Sequence, residues 1–243
     1  MLSIFKKEIN SFFSSLIGYI VIAVFLILTG LLLWVFPSTS LLNQNMATLD
    51  QLFVLAPMIF TFLIPAVTMR SFAEEQQTGT IEFLTTKPLR DIEIILGKYS
   101  ACIVLVAFAL LPTLIYYITM YQLGSPKGNL DSGAIAGSYI GLLLLGAVFT
   151  AIGIFASSLT NNQIISFLLA ASLCIFIHWG FSFISEMPFL LGNGDDIVQM
   201  MGMDYHYRSI SRGIVDLADV VYYVSIIFLF ILLTKVSLER RQW

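Results

Sequence analysis

The sequence predicts an all-α integral membrane protein: six transmembrane helices in a single domain, preceded by an amphipathic helix at the membrane surface. Three observations carry this. Of 243 residues, 58% are apolar and 11% are charged, whereas a soluble domain is about 45–50% apolar and about 25% charged. Too few charges remain to cover a globular surface. Six apolar runs have, or nearly have, the roughly 20 helical residues needed to cross a hydrocarbon core of about 30 Å. Finally, the basic residues are sorted between alternate loops, as they are in multi-pass proteins.

The elements follow in order. Over residues 1–15, Leu2, Phe5, Ile9, Phe12, Phe13 and Leu16 recur at helical spacing, with Lys6, Lys7, Asn10, Ser11 and Ser14 opposite. Such a helix lies flat at the inner membrane surface with its lysines toward lipid headgroups. The spans are 16–36, 52–69, 99–123, 135–159, 164–184 and 220–236. Lipid cannot satisfy free backbone groups, so each is a helix, and Pro57, Pro65 and Pro112 require neighbours that serve the carbonyls they free. The first run is too long for a signal-peptide core and has no small-x-small site after it, so it is expected to stay as an anchor. Six spans put both termini on one side. Nine of the twelve basic residues fall there: Lys6, Lys7, Arg70, Lys87, Arg90, Lys98, Lys235, Arg240 and Arg241. Only Lys127, Arg208 and Arg212 fall on the other. This predicts cytoplasmic termini and a cytoplasmic 70–98 segment. Tyr19, Trp34, Trp179, Tyr222, Tyr223 and Trp243 are expected at the interfaces.

The segment RSFAEEQQTGTIEFLTTKPLRDIEIILGK, residues 70–98, is the longest charged stretch. Residues 71–78 suit a short helix that Gly79 can stop. Thr80 can cap a second, with Glu82 in its first turn, and Pro88 forces a break. Asp91 can cap a third, whose Ile92, Ile95, Leu96 and Tyr99 run into the third span. A lipid-binding loop would be strongly basic. This one is mixed and nearly balanced, which suits a protein partner.

Much is excluded. There is no GxxxxGK[ST] phosphate loop, no metal-ligand spacing and no catalytic constellation, so neither enzymatic activity nor a bound cofactor is expected. A net charge of −3 without a basic patch excludes nucleic acid. The spans carry no ionisable residue at mid-depth, which argues against an ion-coupled carrier. His178 is expected to be hydrogen-bonded near the outer end of the fifth span. Asp195, Asp196, Asp204, His206 and Arg208 are expected on a solvated outer loop. Cys102 and Cys174 read as packing residues. Gly137 and Gly141 form a G-x-x-x-G, and Ala147 and Ala151 repeat the small spacing. These residues mark a close helix contact, either inside the bundle or between subunits.

The order acidic helix, Gly79-Thr80, Glu82, Leu84, Pro88, then Gly97-Lys98 entering a span resembles the cytoplasmic coupling region of ABC-2-type transporter permeases, and the likeness covers nearly the whole chain. It implies an elbow helix before the first span, coupling helices between spans two and three, and an outer segment, 185–216, that dips back into the membrane between spans five and six. It also implies a cytosolic ABC ATPase docked through Glu74, Glu75, Gln76, Gln77, Gly79, Thr80 and Glu82. A second permease half, self or sister, would complete the membrane part, with surrounding lipid and an accessory subunit bearing a periplasmic domain as further partners. The overall text is most similar to permeases of the gliding-motility ABC systems of Bacteroidota. The alternative is a non-transporting scaffold that recruits cytosolic partners through the same loop.

Overall fold

The computed structural model describes residues 1–43, 46–80, 90–188, 192 and 194–240, and every regular element among them is helical. Helix α1 (Leu2–Ser14) precedes α2 (Leu16–Gly30), which closes in a π-turn, Leu31–Val35. Helix α3 (Asp50–Thr68) bends at Met69 into α4 (Arg70–Gln77). Helix α5 (Asp91–Leu110) passes through a 3-10 turn, Leu111–Thr113, into α6 (Leu114–Leu123). Helix α7 (Ser132–Leu159) is unbroken. Helix α8 (Gln163–Ile175) continues through a π-turn, Phe176–Gly180, into α9 (Phe181–Ser185). Two short helices, α10 (Asp195–Met200) and α11 (Met203–Ile210), precede α12 (Leu217–Glu239).

Six helical stretches are long and apolar enough to cross a membrane: Gly18–Val35, Asp50–Gln77, Asp91–Leu123, Ser132–Leu159, Gln163–Ser185 and Leu217–Glu239. The chain is a multi-pass membrane protein. Most of these helices run past the apolar spans read from the sequence, furthest at two ends. The second stretch runs on past Met69 to Gln77, and the third begins at Asp91. Apolar content marks where lipid ends, whereas helical backbone runs on into polar residues, across a bend at Met69 in one case and without a break from Asp91 in the other. The cap of α5 also differs. Arg90 is the N-cap, and Glu93, not Asp91, closes the turn by accepting from the Arg90 amide at 3.2 Å.

Helix α7 is the hub. It packs against α3, α4, α5, α8, α11 and α12. Its small residues allow this. A Cβ on Gly146 would stand 2.9 Å from Val106 of α5, and one on Gly153 would collide with Thr68 of α3. The main core gathers Phe25, Phe53, Phe60, Phe149 and Tyr223 with the aliphatic residues between them. Tyr223 is therefore buried in this core rather than placed at an interface. Many large apolar residues point outward instead, among them Ile20, Ile27, Phe62, Leu168 and Phe228. A lipid-facing surface needs such residues, and water would penalise them.

The prolines obey local bookkeeping of donors and acceptors. Pro57 has no N–H for the carbonyl of Phe53, four residues back. Tyr207 of α11 supplies the missing donor, its hydroxyl lying 2.7 Å from that carbonyl. Burial pushes the Tyr207 phenol up, so it stays protonated as a donor. Pro112 falls in the 3-10 turn that separates α5 from α6. Cys102 and Cys174 are buried free thiols.

Candidate functional site

The site is built on the bend between α3 and α4. An unbroken helix would send the Phe72 amide to the Thr68 carbonyl. Here that amide donates to Ser157 Oγ of α7 at 2.9 Å, and the Ala73 amide donates to the same oxygen at 3.0 Å. The Ser157 hydroxyl in turn donates to the Met69 carbonyl at 2.9 Å. A hydroxyl offers one donor and two acceptor positions, so all of its capacity is spent on the bend. Gln76 Nε2 reaches the Ser158 carbonyl at 3.3 Å, and Ser237 of α12 donates to that carbonyl at 3.2 Å.

The inner face of α4 is apolar at its start and ionic at its end. Phe72 sits in a second small core with Ile4 of α1, Ile94 and Ile95 of α5, Ile154 of α7 and Ile231 of α12. Beside it, Lys98 of α5 is 2% exposed and holds two carboxylates, Glu8 of α1 at 2.8 Å and Glu75 of α4 at 3.0 Å. Its ammonium also lies 5.2 Å from the Phe72 ring centroid. Lys7 reaches Glu75 at 2.9 Å from the rim. Burial disfavours the Lys7 charge, but the Glu75 hydrogen bond and the Glu75 and Glu8 carboxylates outweigh this and raise its pKa above the ordinary 10.5. Glu75 Oε2 is buried without a partner among the described residues. Gly97 lets α1 come this close, since a Cβ there would stand 2.9 Å from Ile4 Cγ2. Three helices from distant parts of the chain thus meet on one lysine.

The outer face of α4 differs. Glu74 forms a forked pair with Arg70, at 2.7 and 2.8 Å, on the half-exposed side. Gln77, Thr78, Gly79 and Thr80 are exposed. Gly79 takes φ +70°, a left-handed turn that ends the helix. Thr80 folds back on α4, with its hydroxyl 3.0 Å from that of Thr78. Of the residues the sequence nominated, Glu75 and Gln76 therefore face inward, Glu74 lies at the edge, and Gln77, Gly79 and Thr80 form the free end. Glu82, Leu84 and Pro88, with the second short helix assigned to that stretch, lie outside the described residues.

Lys7, Glu8, Lys98 and Ser157 were not nominated. Their signal was present. Lys98 stands three or four residues from Ile94, Ile95, Ala101 and Cys102, and Glu8 from Ile4, Phe5 and Phe12. A charge set in an apolar stripe needs a buried partner.

Gly137 and Gly141 face inside the chain. A Cβ on Gly137 would stand 2.7 Å from the Gly213 carbonyl, and one on Gly141 would run into Ile210 at the end of α11. Ala147 and Ala151 are buried further along α7. Two expectations fail at this end of the bundle. His178 is 2% exposed, and its Nδ1 has no partner among the described residues. It is packed between Trp179, Phe149 and Tyr207 rather than hydrogen-bonded at an interface. The expected solvated face at 195–208 holds for Asp196 and Arg208, which are exposed, but not for Asp204. Asp204 is buried between Ser182, at 3.3 Å, and Arg208, at 2.7 Å. His206 is tied to Asp219. The cause is the fold of α11, whose Met203, Tyr207 and Ile210 enter the core and draw the neighbouring Asp204 in with them.

Among the described residues no group of three or more His, Cys, Asp or Glu side chains is placed to hold a metal. The arrangement on α4 is mechanical: a short helix with one face locked into the bundle and its end free. Six helices able to span a membrane, with such a polar helix projecting from them, make up the class of multi-pass membrane protein to which the fold assigns the chain. The chain belongs to the ABC-2 family of transporter proteins, whose family model matches residues 2–234. Membership implies an ABC ATPase partner and, usually, association in pairs. A search of the curated proteins gives no match.

Proposed function

We propose that this chain is the permease half of an ATP-driven ABC-2 transporter and that α4 with the turn 78–80 is the surface met by a separate cytosolic ATPase. The observation that carries this is the two-sided character of α4. Its inner face is fastened to α1, α5 and α7 through Phe72, Glu75 and Ser157, and its end at 77–80 is exposed. A helix held in this way passes a push at its end to three other helices as one body. ATP binding elsewhere biases the bundle only through a difference in affinity for two packings. Glu74, Gln77, Gly79 and Thr80 are then contact residues, together with Glu82 beyond them. Glu75 and Gln76 hold the contact surface in place.

In this reading both termini and α4 are cytoplasmic and the membrane is the bacterial inner membrane, as the nine basic residues on that side support. Helix α1 is the elbow at the lipid surface, and residues 185–216 are the outer re-entrant segment. A second permease half, self or sister, completes the pathway. The particular assembly suggested by the resemblance is a gliding-motility system, with an accessory periplasmic-domain subunit.

The test is co-purification of the ATPase with tagged permease in mild detergent. Gly79→Pro, which alters the free turn, and Glu75→Arg, which sets like charges against Lys98, are each expected to lower ATPase recovery while membrane insertion stays intact. Undiminished recovery with both variants would sink the assignment of α4.

A further inference from the structure

The end of the bundle remote from α4 holds a second polar cluster, which shares no residue with the docking surface. His206 of α11 stands between two acceptors. Its Nδ1 lies 2.7 Å from Asp219 Oδ1 of α12, and its Nε2 lies 3.0 Å from the carbonyl of Met200, the last residue of α10. A carbonyl oxygen cannot donate, so Nε2 carries the hydrogen of that bond. A neutral imidazole has one N–H, and it is now used. The short contact at Nδ1 then requires another proton, either on the ring facing a carboxylate or on the carboxyl facing a ring lone pair. Both descriptions have the same count. Both contacts are hydrogen bonds only when the pair holds one proton more than a neutral imidazole beside an ionised aspartate.

The surroundings make that proton matter. Asp219 is 6% exposed, and its Oδ2 has no partner among the described residues. Without the proton the imidazole has one N–H for two acceptors: on Nδ1 it keeps Asp219 paired and sets the Nε2 lone pair against the Met200 carbonyl, and on Nε2 it leaves a buried carboxylate against a lone pair, which is strongly destabilising. The His206 ring is stacked on Tyr222, with centroids 3.9 Å apart and planes at 22°, and Tyr205 stands edge-on at 5.4 Å. The Tyr222 hydroxyl donates to the Met201 carbonyl at 2.6 Å. The other ionisable groups around α11 are Asp204 and Arg208, paired with each other, and Tyr207, bonded to Phe53. Neighbouring elements add Tyr223 of α12, His178 of the fifth span, Asp195 and Asp196 of α10, and Tyr139 of α7, the last engaged with Thr113.

We propose that His206 and Asp219 form a proton-binding clasp. Binding of one proton fastens α11 to both α10 and α12, and its loss gives up one of the two bonds and loosens α11 at this end of the bundle. The pH on that face thereby sets how firmly the 195–213 segment closes over the helix ends. Asp219 is a positioning residue in this device, and the stacked Tyr222 ring fixes the plane in which the imidazole works.

The chain has two histidines, so the full-length protein labelled with 15N-histidine, in lipid nanodiscs, gives two ring signatures, and His206→Gln assigns them. Between about pH 5 and about pH 9, where imidazole groups titrate, the His206 ring signals are expected to move in one step. Hydrogen exchange of the 203–210 amides, corrected for its intrinsic pH dependence, is expected to rise about tenfold across the same step, the size of a charge-assisted hydrogen bond. Asp219→Asn offers a donor to Nδ1 at every pH and is expected to flatten this exchange profile. Invariant His206 signals over the whole range overturn the proposal, on the wild-type protein alone. So does an exchange profile that is the same in wild type and Asp219→Asn.

Discussion

The hydroxyl of Tyr207 lies 2.7 Å from the backbone carbonyl of Phe53, 154 positions earlier in the chain. That carbonyl is without an in-helix donor because Pro57 follows it by four residues. One bond thus repairs the break in α3 and pins α11 to the start of the second span. Tyr207→Phe leaves the buried carbonyl unpaired and is expected to lower stability by about 1–3 kcal/mol. In a Pro57→Ala background the peptide N–H returns, and the same substitution is expected to lose much less. The check is a double-mutant cycle by reversible denaturation in detergent, and equal losses in the two backgrounds contradict it.

Lys98 is the common partner of Glu8 and Glu75. Lys98→Met removes the buried cation and leaves Glu8 and Glu75 with Lys7 at the rim as their remaining partner. The expected loss is about 3–5 kcal/mol. Glu75→Gln on top of Lys98→Met is expected to recover part of it. Thermal denaturation of the single and double variants reads this directly, and a double variant no better than the single one goes against the ion cluster.

The rim lysine gives a pH signature. The folded-state pKa of Lys7 is raised, so its ion pairs contribute stability that is fully present below 10.5, the ordinary lysine value. That contribution is lost as pH rises through the higher folded value. The loss caused by Lys7→Gln is therefore expected to stay constant through neutral pH and to shrink only in strongly alkaline solution, as followed by melting temperature against pH.

Gly141 faces Ile210 within the same chain. Gly141→Val is expected to destabilise the isolated chain by about 1–3 kcal/mol through overpacking, and Ile210→Ala is expected to relieve it. If pairing between copies were lost instead, with the stability of a single copy unchanged, the small-residue face would belong to a subunit contact.

The direction of insertion is open to a labelling test. Cys102 and Cys174 are buried and give a low background. Lys127→Cys is expected to react with an impermeant maleimide on intact cells, and Gln77→Cys only after permeabilisation. The reverse pattern would place α4 outside.

The long-range order of the molecule was readable at some positions and hidden at others. Six spans could be found because lipid imposes both length and composition. Gly79 could be found because a glycine after a polar helical run favours the left-handed turn it takes. The inward aim of Glu75 was hidden, since Lys98 and Lys7 come from other helices and a charge looks the same whichever way it points. Sequence placed Tyr223 at an interface and the 195–208 charges in water. Tyr223 and Asp204 lie inside instead, while Asp196 and Arg208 stay exposed; a proline four residues after Phe53 was the only local hint of the Tyr207 contact that seats α11. Ser157 was hidden for a different reason. A serine near a helix end is unremarkable until two amides from another helix are found on it.

The joint at Met69 has a consequence for motion. The Phe72 amide, now bonded to Ser157, has an alternative acceptor in the Thr68 carbonyl one turn back, which an uninterrupted helix would use. Bending and straightening are then an exchange of one oxygen for another, with the amide satisfied at both extremes and exposed only in passing. A lever built on such a joint has a bonded partner for the Phe72 amide at each end of its swing.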